Sequence, residues 1–458
     1  MPYVERLAKR YNAVDGDFLR RHQLLTGELE MQDSDNTSPE AQGKTRDGIL
    51  KATLTAGKGQ AMQVLRARNV AFEQPHPDVG VARIPIANAS WVNTTEGTVL
   101  VDTLMAPVQG EQLRDKILET GGPIKHIIYT HGHGDHVGGA AAFKEDGAEI
   151  IAQRLLPDRL EGYRILSEHR SRITAIQFNV PFRPDVQPDF VEPTRTFDES
   201  LTFQLGGKTF ELYHARAETD DAVWVHVPEI KAVFVGDLII AGFPNIGNPF
   251  KPTRFALPWA RALEDIRDKH PELLIAHGGR AVYQGKDAIE VLDANIEAIY
   301  SIHDQVVDLI NRDIPLDEMI HMVSLPEHLK DSPYLAFVYS RPEFAVYNIY
   351  RWYHGYFDHN PSHLLPRPDK EVNAEIFDLI GGPEAILNRA ASLMEEGKAQ
   401  LAIQVLDVLL KADPENSRGR KLHLELLEEI ASQDYCLMSR NTWVYFMEKD
   451  RELLGMDK

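Results

Sequence analysis

The chain has 458 residues, 43% of them apolar and 26% charged, which indicates a globular protein with enough core for two or three domains. Its formal net charge of −20 argues against nucleic acid or an anionic membrane as a partner, because an acidic surface repels both. The single cysteine, Cys436, excludes an intrachain disulfide framework, and no run of 18 apolar residues predicts a membrane-spanning helix.

Residues 1–75 carry charged helical patterns, for example from Val4 to Tyr11 and from Gln60 to Arg68. They contain no chemical motif and no apolar signal core, so we expect a cytoplasmic protein without membrane insertion. We predict that this region is a helical N-terminal extension packed on the next domain. A lid over an active site is the alternative.

The pattern changes near residue 80, where short apolar segments separated by turn residues predict strands at 81–86, 89–92 and 98–102. An amphipathic helix is predicted at 109–120, and the Gly-Gly-Pro that follows would end it. A further short strand is predicted at 126–129. Strands that alternate with helices indicate an α/β domain, which we place at residues 76–285.

The segment from Thr130 to Gly139 places three histidines and one aspartate within six residues, between this strand and a predicted helix. On an extended chain, His131 and His133 can face one metal ion, and Asp135 and His136 point to a place close by. Imidazole and carboxylate groups suit Zn²⁺ or another first-row divalent metal. A histidine-rich surface loop without function is the alternative, but it rarely has four ligands at this spacing.

These residues resemble the HxHxDH signature of the metallo-β-lactamase fold superfamily. The resemblance implies a four-layer αβ/βα sandwich with a dinuclear metal site at the edge between its two sheets. Asp102 ends a predicted strand, where this superfamily often has a structural aspartate near the metals.

Residues 154–200 are rich in Arg, Pro and Asp and show little periodicity, which predicts long loops or an insertion near the site. A hairpin is predicted next, with strands at 201–205 and 209–214 around two glycines. A buried strand is then predicted from Lys231 to Ile240, with Asp237 near its end. Another strand at 272–275 runs into His277.

The resemblance implies three further metal ligands. In most of the superfamily a Gly-His-Thr turn completes the first metal site, and here the turn reads Ala-Glu-Thr. Glu218 is therefore the expected ligand, with His214 as the alternative, because a carboxylate can also bind zinc. The implied set is His131, His133 and Glu218 at one metal, Asp135, His136 and His277 at the other, and Asp237 between them.

Helical apolar spacing dominates residues 286–458, which we predict to be an all-α domain. Residues 384–430 resemble a tetratricopeptide helix pair, and one such pair cannot bury its own faces. It should therefore dock on a neighbour, and a twofold homodimer is the expected assembly. Aromatic residues are dense between Tyr334 and Phe357, where core packing is expected and an apolar substrate tunnel is the alternative.

Glu218 and several segments of the helical region resemble the alkylsulfatase branch of the superfamily. The segment from Tyr347 to Tyr353, the Asp-His-Asn-Pro-Ser-His-Leu run at 358–364 and the helix pair after it are similar to that family's dimerisation domain. The family usually has a bridging glutamate where Asp237 stands. We expect no sterol-carrier-like C-terminal domain, which the longer members carry. Asn248 and Arg254 can be placed against a family asparagine and a sulfate-contacting arginine, which implies that they bind substrate.

The resemblance thus implies a dinuclear metal-dependent hydrolase, with two Zn²⁺ ions or other first-row divalent metals. A metal-bound hydroxide, oriented by Asp135 or Asp237, would attack a small-molecule sulfate ester, and S–O and C–O cleavage both remain open. One alternative is the hydrolysis of another ester class, a lactone, thioester or phosphodiester, on the same scaffold. Another is a non-catalytic helical interaction protein.

Overall fold

Two β-sheets and the helices on their outer faces make up most of the molecule. The computed structural model describes residues 70–183 and 189–456, and the helices predicted before residue 70 lie outside the described residues. The strands are β1 (Ala71–His76), β2 (Val79–Ile84), β3 (Ala87–Thr94), β4 (Gly97–Val101), β5 (Ile124–Ile128), β6 (Glu149–Gln153), β7 (Arg195–Phe197), β8 (Ser200–Leu205), β9 (Lys208–Ala215), β10 (Ala222–Val227), β11 (Ala232–Phe234), β12 (Leu273–Ile275) and β13 (Val282–Gln284).

The described helices fall into a group that flanks the sheets and a group that follows them. The first group is α1 (Pro107–Thr120), α2 (Gly134–Val137), α3 (Leu156–Ile165), α4 (Ser167–Phe178), α5 (Ala256–Asp268), α6 (Lys286–Asn311), α7 (Leu316–Met322) and α8 (Pro342–Tyr353). The second group is α9 (Asp369–Ile380), α10 (Pro383–Glu395), α11 (Ala399–Ala412), α12 (Ser417–Gln433) and α13 (Leu437–Leu453). In the described part of the chain, no helix has the length and apolar character needed to cross a bilayer.

Both sheets are mixed. The first sheet has strands β1 to β7 in chain order, antiparallel from β1 to β4 and parallel from β4 to β7. The second sheet has the order β13-β12-β11-β10-β9-β8, in which only β11 and β12 pair in parallel. The parallel strands β4, β5, β11 and β12 lead into the loops that carry the candidate site.

Apolar residues bury both faces of each sheet. Val99 and Ile128 of the first sheet pack with Phe210 and Val225 of the second in the layer between them. Helices α1 and α3 cover the outer face of the first sheet, and α5, α6 and α8 cover that of the second. This order of layers is helix, sheet, sheet, helix, and it confirms the predicted α/β sandwich followed by helices.

Helices α6 to α8 share a core with the second sheet, although the sequence suggested a domain boundary near residue 285. Val291 and Ile302 of α6 belong to the same buried cluster as Trp259 of α5 and Leu274 of β12. Helices α10 to α13 form two smaller clusters of their own. The division into a domain at 76–285 and another at 286–458 therefore separates chain segments that share one hydrophobic core.

Three predictions of local structure were wrong. Strand β1 begins at Ala71, inside the predicted helical extension, because residues 71–76 pair with β2 in a hairpin. Helices α3 and α4 replace the loops predicted between 154 and 178, where too few buried apolar residues recur to reveal a helix. The strand predicted at 231–240 ends at Phe234, because Gly236 turns the chain with a φ of +49°.

Candidate metal centre

Six of the seven predicted ligands converge at one edge of the sandwich, in the segments that follow strands β5, β11 and β12. The His131–His136 segment follows β5, and α2 carries Asp135 and His136. Asp237 lies in the short 3-10 turn after β11, and His277 follows β12. An isolated bridge between Ile240 and His277 ties the last two segments together. The fold thus joins residues that are far apart in the chain.

The first group of ligand atoms is formed by His131, His133 and Asp237. Nε2 of His131 and Nδ1 of His133 are 2.8 Å apart, and Oδ2 of Asp237 lies 3.6 Å from Nε2 of His131. Oε1 of Glu218 is 3.8 Å from Nδ1 of His133. Three of the predicted ligands therefore meet, and Glu218 lies beside them.

The second group is formed by Asp135, His136 and His277. Oδ2 of Asp135 lies 3.4 Å from Nε2 of His277 and 3.8 Å from Nε2 of His136. Oδ1 of Asp237 lies 3.1 Å from Nε2 of His136 and 3.5 Å from Nδ1 of His277. Asp237 therefore turns one carboxylate oxygen toward each group, as a bridging carboxylate does.

Asp102 and Thr130 orient the imidazoles of His131 and His136 through hydrogen bonds on the Nδ1 side of each ring. The carboxylate of Asp102 accepts hydrogen bonds from the backbone N–H of Thr130 (2.8 Å), the hydroxyl of Thr130 (2.7 Å) and Nδ1 of His136 (2.7 Å). The hydroxyl of Thr130 also lies 3.2 Å from Nδ1 of His131. When Nδ1 of each ring donates on this side, the lone pair of Nε2 faces the cluster, as ligation requires. Asp102 has a φ of +61°, a rare conformation for aspartate that the surrounding bonds maintain.

The loop after β4 and the metal-binding segment approach each other at backbone distance. Thr103 donates both its N–H (2.7 Å) and its hydroxyl (2.8 Å) to the carbonyl of His136. A Cβ added to Gly139 would lie 1.9 Å from the carbonyl oxygen of Thr103. Position 139 must therefore be glycine, because any side chain would collide with the carbonyl of Thr103. This close contact fixes the position of α2.

The donor set fits divalent metal ions. Nε2 of His136 and Oδ1 of Asp237 are buried and have no hydrogen-bond partner among the described residues. Within each group the ligand atoms lie within 4.8 Å of one another. Buried nitrogen and oxygen atoms that face each other without hydrogen bonds are the arrangement that a cation satisfies.

The pKa shifts of His131 and Asp135 agree with this interpretation. By contrast, burial would lower the pKa values of His136 and His277, but the carboxylates of Asp102 and Asp237 raise them. Burial, with the neighbouring His136, lowers the pKa of His131 well below its ordinary value, so this imidazole is neutral. Burial would raise the pKa of Asp135, but His136 and His277 lower it to about 2. Neutral imidazole and ionised carboxylate are the forms that bind metals.

Glu218 is buried and contacts two other groups besides His133. Arg254 forms an ion pair with its carboxylate, and Nδ2 of Asn245 donates a hydrogen bond to Oε1 (3.1 Å). Burial raises the pKa of Glu218 to about 7 even though Arg254 opposes the shift. His214, the alternative ligand, has its Nε2 2.7 Å from the carbonyl oxygen of Asp220. The structure therefore places Glu218 beside the cluster and His214 against the backbone.

The two predicted substrate contacts lie on the loop between Ile239 and Phe255. Arg254 is only 1% exposed, and Asn348 of α8 accepts from its backbone N–H (2.9 Å) and donates to its carbonyl (2.8 Å). The side chain of Asn248 accepts from the N–H of Phe250 (2.9 Å) and packs on Met438. Arg254 thus reaches the site through Glu218, and Asn248 shapes the loop.

Sequence reasoning missed several polar residues near the cluster. Asp221 is fully buried and accepts from the N–H of Gly132 (2.8 Å) and from Nε of Arg159 (2.7 Å). The hydroxyl of Tyr339 accepts from Nε2 of Gln177 (2.8 Å). The acidic pair directly after Ala-Glu-Thr was a signal for Asp221. Tyr339 and Gln177 had none, since they meet only in the folded chain.

Two family models match this chain. The model described as the metallo-beta-lactamase superfamily matches residues 83–278, and the model described as alkyl sulfatase dimerisation matches residues 315–452. The first contains all seven predicted ligands. The second begins at α7 and ends within α13.

Several curated relatives are alkylsulfatases. A linear primary-alkylsulfatase from Pseudomonas is 26% identical over 80% of this chain and 73% of its own length. An (R)-specific secondary-alkylsulfatase from Pseudomonas is 24% identical over 78% of this chain, and an alkyl/aryl-sulfatase from Saccharomyces cerevisiae is 22% identical over 80%. This chain spans 59% and 61% of the lengths of these two relatives.

A solved structure shares the fold. The stereoselective inverting sec-alkylsulfatase from Pseudomonas aligns with a TM-score of 0.75 at 21% identity, over 90% of this chain and 70% of that one. The candidate metal-binding edge, the sandwich and the matched model together define the class of the first part of the chain: residues 83–278 carry a metallo-β-lactamase superfamily domain. The alkyl sulfatase dimerisation domain at residues 315–452 and the curated relatives support the alkylsulfatase-like branch of that superfamily.

Proposed function

We propose that this protein hydrolyses alkyl sulfate esters at a site for two divalent metal ions, most simply Zn²⁺. The observation that carries the proposal is the position of Asp237, with one oxygen toward His131 and the other toward His136 and His277. We assign the seven predicted ligands to this site: His131, His133 and Glu218 to one ion, Asp135, His136 and His277 to the other, and Asp237 to both. The curated relatives that match most of the chain support sulfate esters as the substrate class.

The residues of the chain have separable roles in this mechanism. When bound, the two cations supply Lewis acidity and lower the pKa of a water molecule to about 7. Asp135 is ionised at neutral pH, so its carboxylate can accept a proton or a hydrogen bond from water at the site. Asp237 holds the two ligand groups at a fixed separation. Asp102 and Thr130 hold His131 and His136 in the orientation that the ligands need.

Burial determines the strength of the electrostatic interactions that the site residues make. The side chains of His131 and His136 are at most 2% exposed, so their interactions with charge are screened little by water. Charge that develops on the sulfate group therefore meets a site that is already organised, and little reorganisation is needed. Arg254 contributes through its ion pair with Glu218, which offsets the negative charge of that carboxylate.

A substrate panel tests the proposal. The zinc-loaded protein is given decyl sulfate, a lactone of similar chain length and a phosphodiester, and product release is measured for each. We expect turnover of decyl sulfate at a rate at least a hundredfold above that of the other two. Turnover of only the lactone or the phosphodiester would instead favour another ester hydrolase on the same fold.

We also propose that the chain forms a homodimer through α9 and the segment before it. Helix α9 has no buried residue, and Leu379 on it is 86% exposed. Leu365 and Tyr356, earlier in the same segment, are 88% and 76% exposed. Several exposed large apolar side chains in one segment indicate an interaction site, and the segment lies within residues that match the dimerisation model.

A further inference from the structure

The two ligand groups of the candidate metal centre are held by different buried polar side chains, which contact the main chain beside the ligands. Asp221, directly before β10, accepts a hydrogen bond from the N–H of Gly132. Asn88, on β3, donates hydrogen bonds to the carbonyls on both sides of His277. Neither side chain is one of the seven candidate ligands. Each therefore acts on a ligand through the main chain that carries it.

Asp221 contacts the main chain between the two histidines of the first group. Its Oδ2 lies 2.8 Å from the backbone nitrogen of Gly132, the residue that separates those histidines. Its Oδ1 accepts from Nε of Arg159 on α3 (2.7 Å), and Arg159 also pairs with Asp220. The carboxylate is fully buried. A guanidinium on one oxygen and a peptide N–H on the other hold Asp221 in a single orientation.

The same region joins the metal-binding segment to the turn that carries Glu218, which lies three residues before Asp221 in the chain. The N–H of Val223 donates to the carbonyl of Thr130 (2.7 Å), so the start of β10 is bonded to that segment at a second point. Nδ1 of His133 and Oε1 of Glu218 are 3.8 Å apart across this junction. A shift of Asp221 would therefore change the distances among the ligands of the first group.

Asn88 holds the last ligand of the second group from the opposite sheet. Its Nδ2 donates to the carbonyls of Ala276 (3.1 Å) and Gly278 (3.2 Å), the two neighbours of His277 in the chain. The N–H of His277 itself donates to the carbonyl of Ile239 (3.0 Å). Asn88 is only 5% exposed, so water competes little for its hydrogen bonds. The main chain is thus held at three consecutive residues around this ligand.

We propose that Asp221 and Asn88 are positioning residues for different metal ions. Asp221 sets the separation of the ligands in the first group, and Asn88 sets the position of His277 in the second. The proposal rests on the proposed function for the two-metal site and does not depend on the substrate. Because the two contacts lie on separate segments, the loss of either should weaken the binding of one ion much more than that of the other.

Two double variants test Asp221 without leaving a buried charge unpaired. D221L/R159M replaces the ion pair by apolar side chains, so the N–H of Gly132 loses its acceptor. D221N/R159Q is the matched control, because one amide keeps an oxygen for Gly132 while its nitrogen donates to the other amide. A fold often tolerates the replacement of both partners of a buried ion pair, whereas the removal of one partner is strongly destabilising.

Competition with a chelator measures the stepwise affinities for two zinc ions, and anomalous diffraction from crystals locates the ions that remain bound. We expect D221L/R159M to bind the ion at His131 and His133 at least about tenfold more weakly, with a change below about threefold for the other ion. D221N/R159Q should stay within about threefold of the wild-type protein for both ions.

N88L tests the second contact, because leucine has a similar size and no donor. We expect the reverse pattern, with a loss of at least about tenfold for the ion at His277 and less than about threefold for the other. N93L is the matched control and should leave both affinities unchanged, since Asn93 lies on the same strand and donates to the carbonyl of Thr120 (3.2 Å). N88S, which is too short to reach both carbonyls, replaces N88L if that variant does not fold.

Unchanged affinity for both ions in D221L/R159M or in the Asn88 variant would overturn the role of that residue. Equal loss of both ions in each variant would also overturn the proposal, because it indicates a general loosening of the fold. Failure of the substrate assignment is distinguishable. If the wild-type protein binds two ions and the variants lose them selectively, but decyl sulfate is not hydrolysed, the positioning roles stand and the substrate is wrong.

Discussion

At the scale of single residues, Asp102 shows how one buried carboxylate orients two candidate ligands, His131 and His136. It accepts three hydrogen bonds, and through Thr130 and His136 it determines which ring nitrogens face the cluster. The sequence places an aspartate at the end of a strand and allows a prediction that it lies near the metals. The sequence does not reveal the bonds to Thr130, because they depend on the left-handed backbone of Asp102.

We predict that D102N weakens metal binding without removing a ligand. The asparagine side chain would place an N–H group where the carboxylate of Asp102 now accepts hydrogen bonds from Thr130 and His136. Because two donors would then face each other, the hydrogen bond that orients His136 would be lost. Outer hydrogen-bond partners of this kind are worth about ten- to a hundredfold in metal affinity. Competition with a zinc chelator measures the loss. D146N is the control, since Asp146 pairs with Arg114 on the outer helices, and equal affinity in D102N and D146N would contradict this role.

The choice between Glu218 and His214 leads to a second prediction. Glu218 lies 3.8 Å from His133, whereas His214 binds the carbonyl of Asp220. E218Q should therefore lower the zinc content by about one ion per chain, and H214A should keep both ions. Metal analysis after dialysis measures both variants. Loss of zinc in H214A together with full occupancy in E218Q would reverse the assignment.

At the scale of elements, local apolar patterns were enough for some segments and not for others. The hairpin β8–β9 and helix α1 follow directly from alternation, glycines and amphipathic spacing. The end of β11 did not follow, because the apolar run continues through Ile240 while the chain turns at Gly236. Helices α3 and α4 were missed because burial from neighbouring segments, rather than a regular apolar stripe, holds them.

Glu211 on β9 supports a prediction about pH. Its carboxylate accepts hydrogen bonds from His226 (2.9 Å), Lys269 (3.0 Å) and Tyr213 (2.9 Å). The bond from His226, followed by those from Lys269 and Tyr213, outweighs burial and lowers the pKa of Glu211 from 4.5 to about 2. Because the folded pKa is depressed, the carboxylate stabilises the fold above pH 4.5, and this contribution is lost as the pH falls toward 2.

E211Q should therefore lower the free energy of unfolding by about 1–2 kcal/mol at pH 7, and the difference from the wild-type protein should shrink below pH 4.5. Urea unfolding at pH 7 and at pH 3.5 measures it. E272Q is the control, because the pair of Glu272 with Lys231 is exposed and should contribute little at either pH. A difference that stays constant between the two pH values would contradict the prediction.

At the scale of the whole molecule, the fold brings together candidate ligands from His131 to His277, and the helical region contacts the loop that carries Arg254. Asn348 and Ser340, which lie in the residues matched by the dimerisation model, form hydrogen bonds with Arg254 and Gly247 of this loop. The convergence of six of the seven candidate ligands could be predicted because the segments that carry them follow strands in the order of a known signature. The contacts of Asp221 and Tyr339 could not be predicted, because they join segments with no common local pattern.

The proposed dimer is also a property of the whole molecule. Replacing Ile376 and Leu379 on α9 by aspartate should place charge in the interface and convert a dimer to a monomer, because neither side chain is buried within the chain. Light scattering after size-exclusion chromatography gives the mass. L118D on α1 is the control, because Leu118 is 43% exposed on a helix that covers the outer face of the first sheet. This substitution should not change the molecular mass of the assembly. A monomeric wild-type protein would contradict the proposal.

The central claim is that Asp237 joins two metal ions in one site. The most direct test is the zinc content of the purified, zinc-loaded protein and of D237A, measured by mass spectrometry of the metal, with decyl sulfate hydrolysis in parallel. We expect about two zinc ions per wild-type chain, and in D237A a loss of at least one ion and at least a hundredfold drop in kcat/KM. Fewer than one zinc ion per wild-type chain, or a D237A variant with two ions and full activity, would contradict it.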